Sequence, residues 1–166
     1  MNLENLKFVK NIDDPDRWAY ADWQQGSQQQ LHWANGKGDI TNANKADLDD
    51  LILLVQKFLP DRPETRVTHL VKVISTSAET IEDADWGIVR EVEVLWVADF
   101  TNLTAVPTDK DVFGWKRHRP QGTKIVELEN LGDNRVIHGD NRVIQLWHSI
   151  EIFQRHVASM LGLTEG

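Results

Sequence analysis

Between Arg90 and Phe100 every even position is apolar: Val92, Val94, Trp96, Ala98 and Phe100. The odd positions run Glu91, Glu93, Leu95, Val97 and Asp99. This two-residue period predicts a long strand from Ile88 to Phe100, with one face dry throughout and the other wet at both ends. Trp96 then belongs to the core. Val67 to Ile74 is rich in β-branched residues and predicts a second strand. The polar, acidic stretch from Ser75 to Asp85 between them reads as a surface hairpin loop. Leu51 to Leu59 is an almost unbroken apolar run ended by Pro60. That suits a strand buried on both faces, with a helix left open by the pattern alone. Leu31 to Asn35 predicts a short strand, closed by the turn Gly36-Lys37-Gly38-Asp39. Thr123 to Leu128 alternates weakly, and Leu6, Phe8 and Ile12 mark an opening segment of strand character.

Three helices are expected around these strands. Asp14 can cap one, Pro15 suits its first position and Asp16 complements its dipole. Trp18, Ala19, Asp22 and Trp23 follow at helical spacing, and the helix stops near Gly26. Thr41 or Asn42 offers the N-cap of a short helix from Asn44 to Asp50. Ser149 caps a third helix with Ile150, Phe153, Val157 and Leu161 on one face, ended by Gly162. Asn102 to Gln121 reads mostly as loop. A seven-residue repeat, Leu131-Gly-Asp-Asn-Arg-Val-Ile137 and His138-Gly-Asp-Asn-Arg-Val-Ile144, has too few copies for a solenoid and reads as a lengthened hairpin. The elements do not alternate regularly, so a doubly wound parallel sheet is not expected. The prediction is one α+β domain over residues 1–166. It has an N-terminal segment and helix (1–26), a body (31–147) built on a small curved, mostly antiparallel sheet or barrel, and a C-terminal helix (149–161).

Composition narrows the possible chemistry. A chain of 166 residues is long enough to bury a sizeable core without staples. The absence of cysteine removes disulfides, thiolate zinc sites and cysteine nucleophiles. Met1 to Lys10 has no apolar run of the kind a signal peptide needs, and no stretch approaches a membrane span, so a cytoplasmic protein with no membrane partner is expected. A net charge of −8 disfavours general affinity for a phosphate backbone. It leaves room for a local basic site.

No P-loop, G-x-G-x-x-G, G-x-S-x-G or H-E-x-x-H occurs. The six histidines form no close pair at metal-ligating spacing, and no metal or cofactor is expected. Asp47, Asp49 and Asp50 read as a helix end and turn rather than paired catalytic carboxylates. Glu79, Glu82, Asp83 and Asp85 lack the spacing and central Gly of a calcium loop. One segment reverses the local charge. From Val112 to Val126 there is no acid, while Lys116, Arg117, Arg119 and Lys124 surround His118 just after Phe113 and Trp115. Aromatic and basic residues together suit a nucleotide, the ring stacking on the base and the cations meeting phosphate. The plainer reading is a surface loop whose aromatics fill a gap in the core. Seven Trp against one Tyr is the other compositional signal. Trp18, Trp23 and Trp96 read as core. Trp33 and Trp115, beside polar or Gly-rich loops, are candidate pocket walls, and Trp86 at a strand entry suits either role.

Four segments together resemble the PUA-like barrel superfamily, and within it the EVE domain. They are Trp33 with its following turn, Lys45-Ala-Asp-Leu-Asp-Asp-Leu-Ile-Leu-Leu54, the pair Thr68-His-Leu-Val-Lys-Val73 and Glu91-Val-Glu-Val-Leu-Trp96, and the helix after Ser149. The likeness spans Leu31 to Leu161 as pattern rather than identity. The family's opening Trp-x-x-Lys-x-Glu-Pro, its Val-Arg-Asn after the central Trp and its Ser-Arg-Leu-Ser strand have no counterpart here. The resemblance implies a non-enzymatic module holding a single, often modified, base in an aromatic-walled pocket. By position Trp33, Asn35, Thr41 and Asn42 would line it, with Trp115 and Arg117 or Arg119 from the later loop. Nucleic acid or a modified nucleotide would then be the partner. A protein-interaction or regulatory domain with no small ligand, including a homo-oligomer, is the competing expectation. A concave Trp-walled pocket would favour the first, and a flat exposed apolar patch the second. A hydrolase would need two acids facing each other across a cleft.

Overall fold

A computed structural model describes residues 1–12, 14, 16–35, 38–57, 65–113, 125–127 and 150–163. Within these residues seven strands form one sheet: β1 (Leu6–Ile12), β2 (Gln28–Trp33), β3 (Leu51–Lys57), β4 (Thr65–Val73), β5 (Glu79–Thr80), β6 (Ile88–Val97) and β7 (Ile125–Glu127). The order is β2-β6-β4-β3-β1-β7, with β5 paired to β6 beyond the end of β4. Every pairing is antiparallel except that of β1 with β3. Among the described residues three α-helices flank it: α1 (Asp39–Ala43), α2 (Asp109–Phe113) and α3 (Ile150–Leu161). The mixed α+β class and the largely antiparallel sheet are therefore as expected. Among the described residues the sheet is open, not closed into a barrel.

The sheet is strongly curled. Four strand-to-strand steps separate β2 from β1, roughly 19 Å in a flat sheet. Yet the ammonium of Lys10 on β1 lies 4.9 Å from the ring centre of Trp33 on β2. Only a curl brings side chains of such distant strands together, and it makes their shared face concave.

Two clusters fill the two faces. On the convex side Leu6, Val9, Leu53, Val55, Val67 and Leu70 pack beneath Val112 and Phe113 of α2 and Phe153, Val157 and Leu161 of α3. Of the face foreseen for the last helix, Phe153, Val157 and Leu161 are the residues that dock. Gly162 ends it in the left-handed region, with the Leu163 N–H closing back on the Ala158 carbonyl at 2.8 Å. On the concave side Phe8, Ile12, Leu31, Trp33, Ile52, Leu54, Val71, Val73, Val92 and Val94 form the second cluster. Because β3 feeds both faces, six of its seven residues are buried, which is why its sequence shows no alternation.

Register shifts rewrite the pattern of β6. Leu70 pairs with Trp96 but Val71 pairs with Val94, so Leu95 is an extra residue. Such a bulge reverses the alternation beyond it. Val92 and Val94 face the concave cluster, whereas Leu95 and Trp96, half-buried, pack against the convex one. The single dry face expected from Val92 to Phe100 is thus split in two, and the strand ends at Val97. Thr68 is the matching extra residue on β4, opposite the step from Leu54 to Val55.

Two of the expected helices are corrected. Asp16 to Gly26 is a succession of bends and turns, despite its helical spacing of Trp18 and Trp23. Buried side chains claim the backbone groups a helix would pair. Gln56 accepts from Ala19 N–H at 3.0 Å and donates to the Asp14 and Arg17 carbonyls, while His69 Nε2 donates to the Tyr20 carbonyl at 2.9 Å. Tyr20 itself sits at φ 59°, which no right-handed helix admits. The segment ends in a bulge at Gly26 and Ser27. Gly26 N–H donates to the Val94 carbonyl and Val94 N–H to the Ser27 carbonyl, with Gly26 at φ 86°. No atom crowds the place of a Cβ at Gly26, so Gly26→Ala should destabilise by only the conformational cost of about 1–2 kcal/mol in urea unfolding. The other corrected helix lies earlier than foreseen. α1 spans Asp39–Ala43 with Gly38 as N-cap, and Asn44 to Asp50 is turn. Asp49 is left-handed at φ 71°, and the Asp50 carboxylate accepts the Asp47 N–H at 2.9 Å. The repeat at residues 131–144 and the Ser149 cap lie outside the described residues.

Candidate docking surface

The turn region Gly38 to Asp50 and the hairpin from Ser75 to Gly87 meet at one end of the sheet. Asn44 Oδ1 accepts the Ala78 N–H at 2.7 Å. Arg90, 1 % exposed, ties both to the sheet. Its guanidinium donates to the carbonyls of Ala43 and Ala46 and to the carbonyl of Ser75, each at 2.7 Å, and to Ser75 Oγ at 3.0 Å. Burial pulls its pKa below the ordinary value, and the charges of Asp47 and Asp50 oppose that.

The hairpin tip is tightly built. Asn35 accepts the Gly87 N–H at 3.0 Å and donates to the Ala84 carbonyl, and Ile81 N–H donates to the Gly87 carbonyl at 2.6 Å. A Cβ on Gly87 would overlap the Ile81 carbonyl oxygen, so no side chain fits there. His32 Nδ1 donates to the Trp86 carbonyl at 2.8 Å, fixing that Trp beside the end of β2.

This hydrogen-bonded end exposes four large apolar side chains: Ile40 (44 %), Leu48 (49 %), Ile81 (40 %) and Trp86 (40 %). The same two turns carry Asp39, Asp47, Asp49, Asp50, Glu79, Glu82, Asp83 and Asp85, with Lys45 as the one base in their sequence. Asp50 is committed inward, at 2.9 Å from Lys7 Nζ. The other seven are at least partly exposed. Among the described residues, no group of acids and histidines is arranged to hold a metal ion.

The residues first singled out for a pocket are placed as follows. Trp33 is fully buried in the concave cluster, and its Nε1 has no hydrogen-bond partner. Asn35 staples the hairpin tip. Thr41 is exposed on α1, and Asn42 beside it is buried. Trp115, Arg117 and Arg119 lie outside the described residues. A cleft of about 500 Å³ lies elsewhere, between Met1–Glu4 and Glu151, Gln154 and Arg155. The Gln154 amide there is spent on the Leu6 carbonyl at 2.9 Å. Sequence reading missed Ile40, Leu48 and Ile81 as surface residues. The available signal was single apolar side chains inside acidic turns, where no strand or helix period calls for them.

No protein-family model matches the chain, and no curated protein does either. Among the described residues no helix is long and apolar enough to cross a membrane.

Proposed function

We propose that this protein is a binding module whose acidic end receives a basic, partly apolar protein partner. The observation that carries this is the set of exposed Ile40, Leu48, Ile81 and Trp86 in two adjoining turns that also carry seven exposed or partly exposed acids. Apolar area supplies affinity, and an aromatic at the centre of a patch is the usual anchor. The surrounding charge attracts a basic partner and repels acidic ones. A tip stapled by Asn35 loses little conformational freedom on binding.

The test is selection of a random displayed peptide library on the whole protein. Recovered peptides should carry Lys or Arg interleaved with apolar residues. Their affinity should fall at least about tenfold with Ile81→Ser and Trp86→Ser together, and again at high salt. Equal affinity for the doubly substituted protein would refute the reading.

A second reading follows the resemblance to PUA-like barrels, with a modified base as ligand of the concave face. What supports it is the curl of the sheet, the unpartnered Trp33 indole N–H inside it, and the Lys10 ammonium over that ring. Trp33 is buried, so a ligand reaching it would have to open that face. Titration with short modified oligonucleotides should then change tryptophan fluorescence. No response at millimolar ligand sinks this reading.

A further inference from the structure

We infer that the partner is held as an added β-strand along the outer edge of β2, from Gln28 to His32; this rests on the docking reading above. The direction of the backbone groups in β2 follows from its register. Ser27 pairs with Val94 and accepts its N–H, so Ser27 faces β6. Alternate residues share that direction in an antiparallel ladder. Gln29, Leu31 and Trp33 therefore bond to β6, and Gln28, Gln30 and His32 point their N–H and C=O groups the other way. The His32 N–H confirms the phase, because it donates outward to the Tyr20 hydroxyl at 3.4 Å. Five groups remain for a partner: both backbone groups of Gln28 and of Gln30, and the carbonyl of His32. Among the described residues no strand pairs with this edge.

Edge strands are usually protected by Pro, Lys or a bulge. From Gln28 to His32 there is none of these. The one bulge, at Gly26 and Ser27, lies before the free stretch. Gln28 and Gln30 are exposed, and the Gln30 amide is drawn sideways onto Glu91 at 2.9 Å, leaving the edge clear. Added strands take their affinity from such main-chain groups and their specificity from alternate side chains.

The surroundings choose the occupant. Glu91 and Glu93 sit beside β2 with Gln28 and Gln30 on the solvent face. At the far end His32 leads to Trp86 and the acidic hairpin. A strand with Lys or Arg on alternate positions and an apolar residue near Trp86 satisfies both. A second copy of this chain does not. Antiparallel pairing of two β2 strands would bring two chains of net charge −8 together, with the Glu91 and Glu93 of each near the seam.

The experiment uses the whole protein and peptides recovered by the selection above. The Gln30 N–H points away from β6, so Gln30→Pro removes an outward donor without removing a bond of the β2–β6 ladder. Its thermal unfolding should match the wild type, while peptide affinity falls at least about tenfold. Gln30→Ala should leave affinity within about twofold. In parallel, the peptide is N-methylated on alternate residues in two sets. One set should abolish binding and the other leave it intact, a pattern that only strand pairing produces. Should Gln30→Pro fail to fold, the methylated sets decide alone. Full binding by Gln30→Pro and by both methylated sets overturns the added strand. The docking reading survives that result if Ile81→Ser with Trp86→Ser still weakens binding, and falls if it does not. A wild-type dimer in sedimentation that Gln30→Pro dissolves would give the edge to a second copy, and overturns the inference as well.

Discussion

Replacing Arg90 with Met is expected to cost about 3–5 kcal/mol of stability, more than any exposed change at the same end of the sheet. Met keeps much of the volume and removes every donor. The carbonyls of Ala43, Ala46 and Ser75 and the hydroxyl of Ser75 then lose a charged partner at once. Each orphaned buried acceptor costs about 1–3 kcal/mol, reduced where water reaches it. Lys is no substitute, because a single ammonium lacks the planar fork that meets acceptors on two sides. Urea unfolding measures the total. Amide exchange locates it: protection should vanish first from residues 39–50 and 75–80, ahead of β3 and β4. A cost under about 1 kcal/mol would mean that water replaces the guanidinium freely. The consequence for function is direct, since Arg90 joins the two turns that present Ile40, Leu48, Ile81 and Trp86. Arg90→Met should weaken peptide binding without touching the surface itself.

The second large effect is with pH. His69 is fully buried beneath Tyr20 and Trp23, with ring centres at 6.2 and 5.5 Å. Burial lowers its pKa to about 4; the Tyr20 carbonyl and the charge of Asp22 pull weakly the other way. The neutral ring donates from Nε2 to Tyr20 and accepts at Nδ1 from Thr68 Oγ1 at 2.8 Å. On protonation the Thr68 hydroxyl could turn toward the Leu54 carbonyl, 3.4 Å away. The cost is therefore chiefly the desolvation of the imidazolium. The unfolded chain binds the proton near pH 6.5 and the folded one only near 4. The contribution is thus complete above about pH 6.5 and is lost as the pH falls through 4. By pH 5 the loss is about 2 kcal/mol. Urea unfolding of wild type and His69→Gln at pH 7.5 and 5 isolates it from the carboxylates common to both. Identical pH dependence in the two proteins would remove His69 from the account. Because His69 and Gln56 both hold the segment from Asp16 to Gly26, amide protection there should be lost first on acidification.

Much of the sheet was legible in the chain. Leu51 to Leu59 and Ile88 to Phe100 each contain the strand found, and Val67 to Ile74 covers all of β4 but its first two residues, because a residue buried on a pleated surface must be apolar wherever the strand runs. The C-terminal helix was legible for the same reason, from Phe153, Val157 and Leu161 together with Gly162. Asp16 to Gly26 was not, because its competitors for backbone hydrogen bonds, Gln56 and His69, lie more than thirty residues further along the chain. Trp96 illustrates the same limit within one strand. Its spacing from Val92 and Val94 is even, but the extra residue at Leu95 turns it to the other face.

The candidate surface was less legible than the fold. The family resemblance placed Asn35 in the wall of a base pocket, and the structure occupies it with Gly87 and Ala84. Ile40, Leu48 and Ile81 went unnoticed, since a lone apolar residue in a polar turn has no period to reveal it. Local order along the chain is set by which residues must leave water. The amino-acid sequence therefore determined by itself the long strands, the last helix, the α+β class and the acidic character of two turns, but not the short β5 inside the second of them. Which face each residue occupies, how far the sheet curls and which apolar side chains stay in water depend on partners distant along the chain. Only the tertiary structure decided those: the Lys10–Trp33 contact shows the curl, Arg90 joins the two acidic turns, and Leu95 assigns Trp96 to its face.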